Sequence, residues 1–255
     1  MNSLRLLALL ILGIALTGCR APSSDPLERA LRSGNHREVG KLLEQGTDVN
    51  RPLPGGESAL LIAIKRGDPK TVALLLERQA DIKVKDDKGR DLFEILWGRG
   101  HPSGYQSRCI GLILKAGHQL PKTADKEGQT WMHRLAAACN EESIPSTLVE
   151  QGFPVDGRDQ NGWTPLHHAV FHSRYFFCLG LLNCGADVNA QTEREVSREL
   201  VAPDDRQVLY RYMAGSQPLD LERQTFTRAT VDENIEKLLT ERGATKNPQV
   251  KNQFR

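Results

Sequence analysis

An all-α repeat solenoid, a stack of about six helix-turn-helix units with short hairpin tips, is the fold class this 255-residue sequence predicts, and three observations predict it. First, Gly46-Thr47-Asp48-Val49-Asn50 and Gly185-Ala186-Asp187-Val188-Asn189 are near copies, preceded by leucine pairs in Lys41-Leu42-Leu43-Glu44-Gln45 and Gly180-Leu181-Leu182-Asn183-Cys184. Second, weaker copies begin at Gln79, Gly117, Gly152 and Gly243, so successive intervals are 33, 38, 35, 33 and 58 residues. Third, Thr164-Pro165 is a helix start, because the hydroxyl accepts a free N–H and proline at the first helical position has none to waste. With 39% hydrophobic residues the chain can bury a sizeable core, and a net charge of +2 shows no bias toward a polyanionic partner. Aromatic residues at 5% argue against stacking platforms for single-stranded nucleic acid, and five cysteines are too few for a disulfide scaffold.

The elements follow in chain order. Arg5 precedes an apolar run from Leu6 to Leu16, too short for the about 20 residues that cross a bilayer but fitting the core of a secretory signal. Leu16-Thr17-Gly18-Cys19 resembles a bacterial lipobox. That resemblance implies cleavage before Cys19 and a lipid on its sulfur. Arg20, where aspartate would retain a lipoprotein in the inner membrane, implies an outer-membrane lipoprotein facing the periplasm of a Gram-negative bacterium. The expected organisation is a signal peptide over 1–18, a lipidated tether over 19–26, a repeat domain over 27–247 with an insertion at 191–214, and a flexible tail over 248–255.

Within the repeat domain, Arg29, Arg32, Arg37 and Glu38 suit the polar outer surface of an end unit. Ser58 reads as a helix cap. Thr71 to Leu76 and Phe176 to Leu182 read as second helices whose apolar side chains need neighbouring units to cover them, with Gly185 stopping the latter. Residues 97–108, rich in glycine with one proline, predict a lengthened loop between the helices of the third unit. Residues 191–214 form a charged insertion in which Val196, Leu200, Val208, Leu209 and Tyr212 have helical spacing, and Ser216-Gln217-Pro218-Leu219-Asp220 opens the last unit.

Asp159-Gln160-Asn161-Gly162-Trp163-Thr164-Pro165-Leu166-His167-His168-Ala169 resembles the tip and first-helix start of an ankyrin repeat, and Lys126 to His133 is a degraded copy with Trp131 in the proline place. The resemblance spans roughly residues 27–247 and implies a protein-binding scaffold. It also implies that His133 and His167 are structural, hydrogen-bonding between adjacent turns.

No assembled nucleophilic site, phosphate-cradling loop or paired-cysteine motif is present, so no enzyme activity, cofactor or metal is expected. His168 and His172 lie four apart, a spacing that can aim two imidazoles at one metal, but two ligands do not make a site. Cys109, Cys139, Cys178 and Cys184 cannot be paired from sequence, and Cys178 reads as a small core hydrophobe. The variable tips and first-helix faces line the expected binding surface, which would carry Lys85, Arg90, Gln129, Arg158, Trp163, His168 and His172 as partner contacts. Trp163 is either an exposed anchor or packed on the next turn.

Ankyrin lipoproteins of this size resemble immunity proteins that neutralise phospholipase effectors of type VI secretion. The function this implies is steric occlusion of such a lipase at the membrane, with no nucleic acid involved. The alternative is a periplasmic envelope or oxidative-stress adaptor that docks a resident enzyme.

Overall fold

Among the described residues, short helices run mostly in antiparallel pairs with projecting tips between successive pairs. The computed structural model describes residues 25–98, 104–193, 196–201, 207–212, 218 and 233–245. The signal and lipobox through Cys19, most of the last unit's first half and the tail after Thr245 lie outside these residues.

The helices are α1 (Pro26–Ser33) and α2 (His36–Glu44), α3 (Ala59–Arg66) and α4 (Pro69–Glu77), α5 (Leu92–Trp97) and α6 (Gly104–Lys115), α7 (Trp131–Ala138) and α8 (Ser143–Glu150), α9 (Pro165–Phe171) and α10 (Tyr175–Asn183), and α11 (Glu233–Glu241). First helices lie beside first helices, α1 on α3, α3 on α5 and α7 on α9, while α2, α4, α6, α8, α10 and α11 form a second row. Caps set the starts. Asp25, Ser58 and Asp68 accept the Glu28, Leu61 and Thr71 N–H groups, and Pro26 and Pro69 follow two of them at the first helical position. Second helices stop where the chain turns left-handed, at glycine in five units and at Gln79, φ 62°, in the second.

The interior is the two-row seam. Leu31, Leu60, Leu75, Leu96, Ile110, Leu148, Leu166 and Phe177 are buried along its length, and Cys178 is buried among them. A fully buried side chain of this size stabilises by about 1.5–3 kcal/mol, and most of that surface is covered by a neighbouring unit, so the stack holds as a sum of interfaces.

The repeated Asp-Val-Asn endings act as bridges between units. Asn50 donates through Nδ2 to the Gln79 carbonyl at 3.0 Å and accepts from the Asp81 N–H at 2.8 Å. Asn189 repeats this across the longest interval, donating to the Gly243 carbonyl at 3.1 Å and accepting from the Thr245 N–H at 2.7 Å. The unit containing α11 therefore stacks directly on the fifth despite 58 residues between their copies.

Two expectations are corrected. The 97–108 segment is not loop throughout: α5 ends at Trp97 and α6 starts at Gly104, where burial of Ser107, Cys109 and Ile110 draws the first turn into the stack. The insertion is not helical where it is described. β1 (Val196–Val201) and β2 (Gln207–Tyr212) pair antiparallel, Val196 opposite Tyr212 and Val201 opposite Gln207. A helix through both would hold Pro203 in its interior, whereas valine and tyrosine favour strands.

Candidate interaction surface

Three tips share one geometry. Asp86, Asp125 and Asp159 each donate a backbone N–H four residues ahead, to Arg90, Gln129 and Trp163 at 2.9, 3.0 and 3.0 Å. Each carboxylate then accepts two backbone N–H groups of its own turn, and Gly89, Gly128 and Gly162 supply the left-handed residue at φ 75–76°. Neighbouring tips bond together, Gln160 N–H to the Glu127 carbonyl and Glu193 N–H to the Asn161 carbonyl. A Cβ on Gly162 would meet Glu193 N at 2.5 Å, so only glycine admits the next tip.

The expected contact residues separate on this frame. Lys85 and Arg158 are exposed and Gln129 is half-buried. Arg90 is held by Asp86 at 2.7 and 2.9 Å, which lowers the Asp86 carboxyl despite its desolvation. Arg158 donates to the Gly162 and Gln191 carbonyls, tying the fifth tip to the start of the insertion. His172 is half-buried with its ring edge-on to Phe171 at 4.8 Å.

Trp163 and His168 are corrections, because both are buried, at 2% and 3% exposure, and cannot be surface anchors in this state. The Trp163 indole packs on His168 and Phe171 at 5.1 and 5.6 Å. His168 turns Nε2 to the Asp159 carboxylate at 3.0 Å, inside the tip. Burial works against the charge on Asp159, but the His168 hydrogen bond and charge, with N–H groups of Trp163 and Asn161, hold its carboxyl below the usual range.

His133 does what the resemblance implies, bridging to the next tip, and His167 shares its contact with the threonine cap. His133 accepts at Nδ1 from the Thr130 N–H at 3.2 Å and from Thr130 Oγ1 at 2.9 Å, and donates through Nε2 to the Gly157 carbonyl at 2.9 Å in the next tip. His167 makes the same Nδ1 contacts with Thr164. Burial, reinforced by the His168 ring 5.6 Å away, pushes the His133 imidazole down to about 4, which keeps this neutral tautomer. Burial also pushes the Cys109 and Cys139 thiols up to about 12, so neither is a ready nucleophile.

An aromatic patch that the sequence reading missed occupies the joint between the third and fourth units. Phe93 and Trp97 of α5 meet Trp131 of α7 edge to face at 4.8 and 5.1 Å. The Arg134 guanidinium lies 3.9 Å from the Trp131 ring centre and 5.1 Å from that of Trp97. Both indoles and Arg134 are half-buried. The α5 and α7 backbones do not approach as the other neighbouring first helices do, and these large side chains fill the joint. The signal was legible as Trp131 in the proline place, with Arg134 one turn later.

On the second-row side, a groove of about 620 Å³ runs between Tyr105, Arg108, Asn140, Glu141, Glu142 and Phe176. Tyr105 and Phe176 are 70% and 51% exposed. Among the described residues no helix is long and apolar enough to cross a membrane, and no cluster of three His, Cys, Asp or Glu side chains could hold a metal ion.

Comparison with known proteins gives one consistent answer. Models described as ankyrin repeats match residues 27–76 and 103–192, together more than half of the chain. The chain is similar to the nuclear factor NF-kappa-B p105 subunit of Gallus gallus, 27% identical over 205 residues, and to rabankyrin-5 of Mus musculus, 31% identical over 179 residues. These alignments take in 77% and 66% of this chain but only 20% and 15% of the relatives. An ankyrin repeat domain from Acinetobacter baumannii is similar in structure at 22% identity and a TM-score of 0.41, over 86% of this chain and 98% of that one.

Proposed function

Because the chain belongs to the ankyrin-repeat family, we propose that it acts by holding another protein against its tips and first-helix row, and that it does so as a lipid-tethered periplasmic immunity protein. The observation that carries the binding reading is the half-buried Trp97, Trp131 and Arg134 patch in the middle of the stack. Tryptophan and arginine set in partly desolvated surroundings are the residue types that dominate protein interfaces. Successive tips carry exposed Lys85, Lys126 and Arg158 together with exposed Asp87 and Glu127, a mixed charge that steers association more than it adds affinity.

The compartment rests on Leu16-Thr17-Gly18-Cys19 and Arg20. Arg20 to Pro26 reaches about 25 Å at full extension, so a lipid on Cys19 would keep the stack at the bilayer surface, where a phospholipase works. The protein would block such an enzyme by covering its active site or lipid-facing surface, one molecule to one, with no turnover.

The test is capture from envelope extracts with the tagged full chain, followed by lipase assay of what is recovered. A recovered phospholipase whose hydrolysis falls to zero at one equivalent supports the reading. Recovery of a resident envelope or oxidative-stress enzyme instead moves the function to an adaptor. Recovery of no protein removes the binding reading altogether.

A further inference from the structure

We propose that Arg134, lying over the paired indoles of Trp97 and Trp131, is a preset receptor for a side-chain carboxylate, so that the partner docks an aspartate or glutamate at the joint between the third and fourth units. The proposal rests on the protein-binding reading above and gives that surface its chemistry.

The three matching tips place one acid and one first-helix residue in equivalent positions, five before and four after the helix cap. In the fifth unit these are Asp159 and His168, and they pair at 3.0 Å. In the third they are Asp86 and Ile95, and the acid takes Arg90 instead at 2.7 Å. In the fourth they are Asp125 and Arg134, and they do not pair. The Asp125 carboxylate accepts only the Glu127 and Gln129 N–H groups, while Arg134 turns away over the two indoles. Among the described residues no carboxylate or carbonyl accepts from its guanidinium.

The Arg134 guanidinium is half-buried on the two indoles, and its N–H fork has no acceptor among the described residues. The fork fits a carboxylate with two parallel hydrogen bonds, and the indoles hold it in place so that little side-chain entropy is lost on docking.

The experiment is selection of a phage-displayed random dodecapeptide library on the immobilised full chain, a format in which peptide carboxylates come from side chains alone. The expected result is a consensus containing Asp or Glu, with the Glu→Gln peptide and the Arg134→Met protein each binding roughly tenfold to a hundredfold weaker. Arg134→Glu should reverse the choice toward Lys or Arg peptides. Arg134→Lys, which keeps charge but lacks the planar fork, serves if Arg134→Met melts early by circular dichroism, and it too should lose most of the affinity. A consensus without acids, or undiminished binding by the folded variants, overturns the carboxylate site and leaves the scaffold reading standing. Enrichment of no peptide at all overturns both.

Discussion

His133 shows how one side chain couples two units and makes the stack pH-sensitive. Its imidazole is neutral in the folded chain because both nitrogens are committed, Nδ1 to Thr130 and Nε2 to the Gly157 carbonyl. An unfolded histidine takes a proton near 6.5, while the folded one waits until about 4. The unfolded state therefore binds more protons between those values. Its contribution is intact above 6.5 and declines as pH falls toward 4, by up to roughly 1.4 kcal/mol per pH unit. Asp159, with its carboxyl held low, loses its contribution in the same direction. Urea melts from pH 7.5 to 4.5 should show this fall, and His133→Gln should flatten it while losing about 1–3 kcal/mol at pH 7.5; an unchanged slope would remove His133 from the account. Gln79 makes the opposite prediction. It holds φ 62° where the other units use glycine, so Gln79→Gly should raise stability by about 0.5–1 kcal/mol in the same melts.

At the scale of elements, the tip is the unit that can be broken selectively. Gly162 is both left-handed and 2.5 Å, at its would-be Cβ, from Glu193 N. Gly162→Ala should cost about 1–3 kcal/mol, with faster amide exchange at Glu193 and Gln160, whereas Gly56→Ala, which meets nothing within 4 Å, should cost only the backbone term. The hairpin of β1 and β2 is the contrasting case. The Asn189 bonds to Gly243 and Thr245 join the units it separates, so replacing 196–212 by a short glycine-serine linker should shift the melting free energy by less than about 1 kcal/mol. The elements differ in how far sequence revealed them. Caps, stops and the Thr130 and Thr164 starts follow local rules and were legible. The hairpin was not, because apolar residues in a charged stretch fit two periods at once, and Pro203 was the deciding signal. Trp163 and His168 were misplaced for a related reason. Burial at the tip depends on the next tip lying across it, a nonlocal fact, and the same fact left Trp97 and Trp131 unread as the half-buried pair.

For the whole molecule, a linear stack concentrates function on surfaces that no single unit defines. Two such surfaces stand out, the Trp97, Trp131 and Arg134 patch of the first row and the Tyr105 and Phe176 groove of the second. The proposed tether adds a direction to the molecule. Replacing Cys19 with alanine should block processing, so that precursor still carrying residues 1–18 accumulates and the mature lipid-bearing chain is lost, and continued membrane residence of a processed chain would contradict the lipobox reading. The central claim, that a partner is held on the first row, is tested most directly by hydrogen–deuterium exchange of the chain with and without the protein it captures from envelope extracts. Added protection across 91–97, 123–134 and 157–172 is the predicted result. Protection confined to 104–108, 140–142 and 175–180 would place the partner in the second-row groove and contradict it.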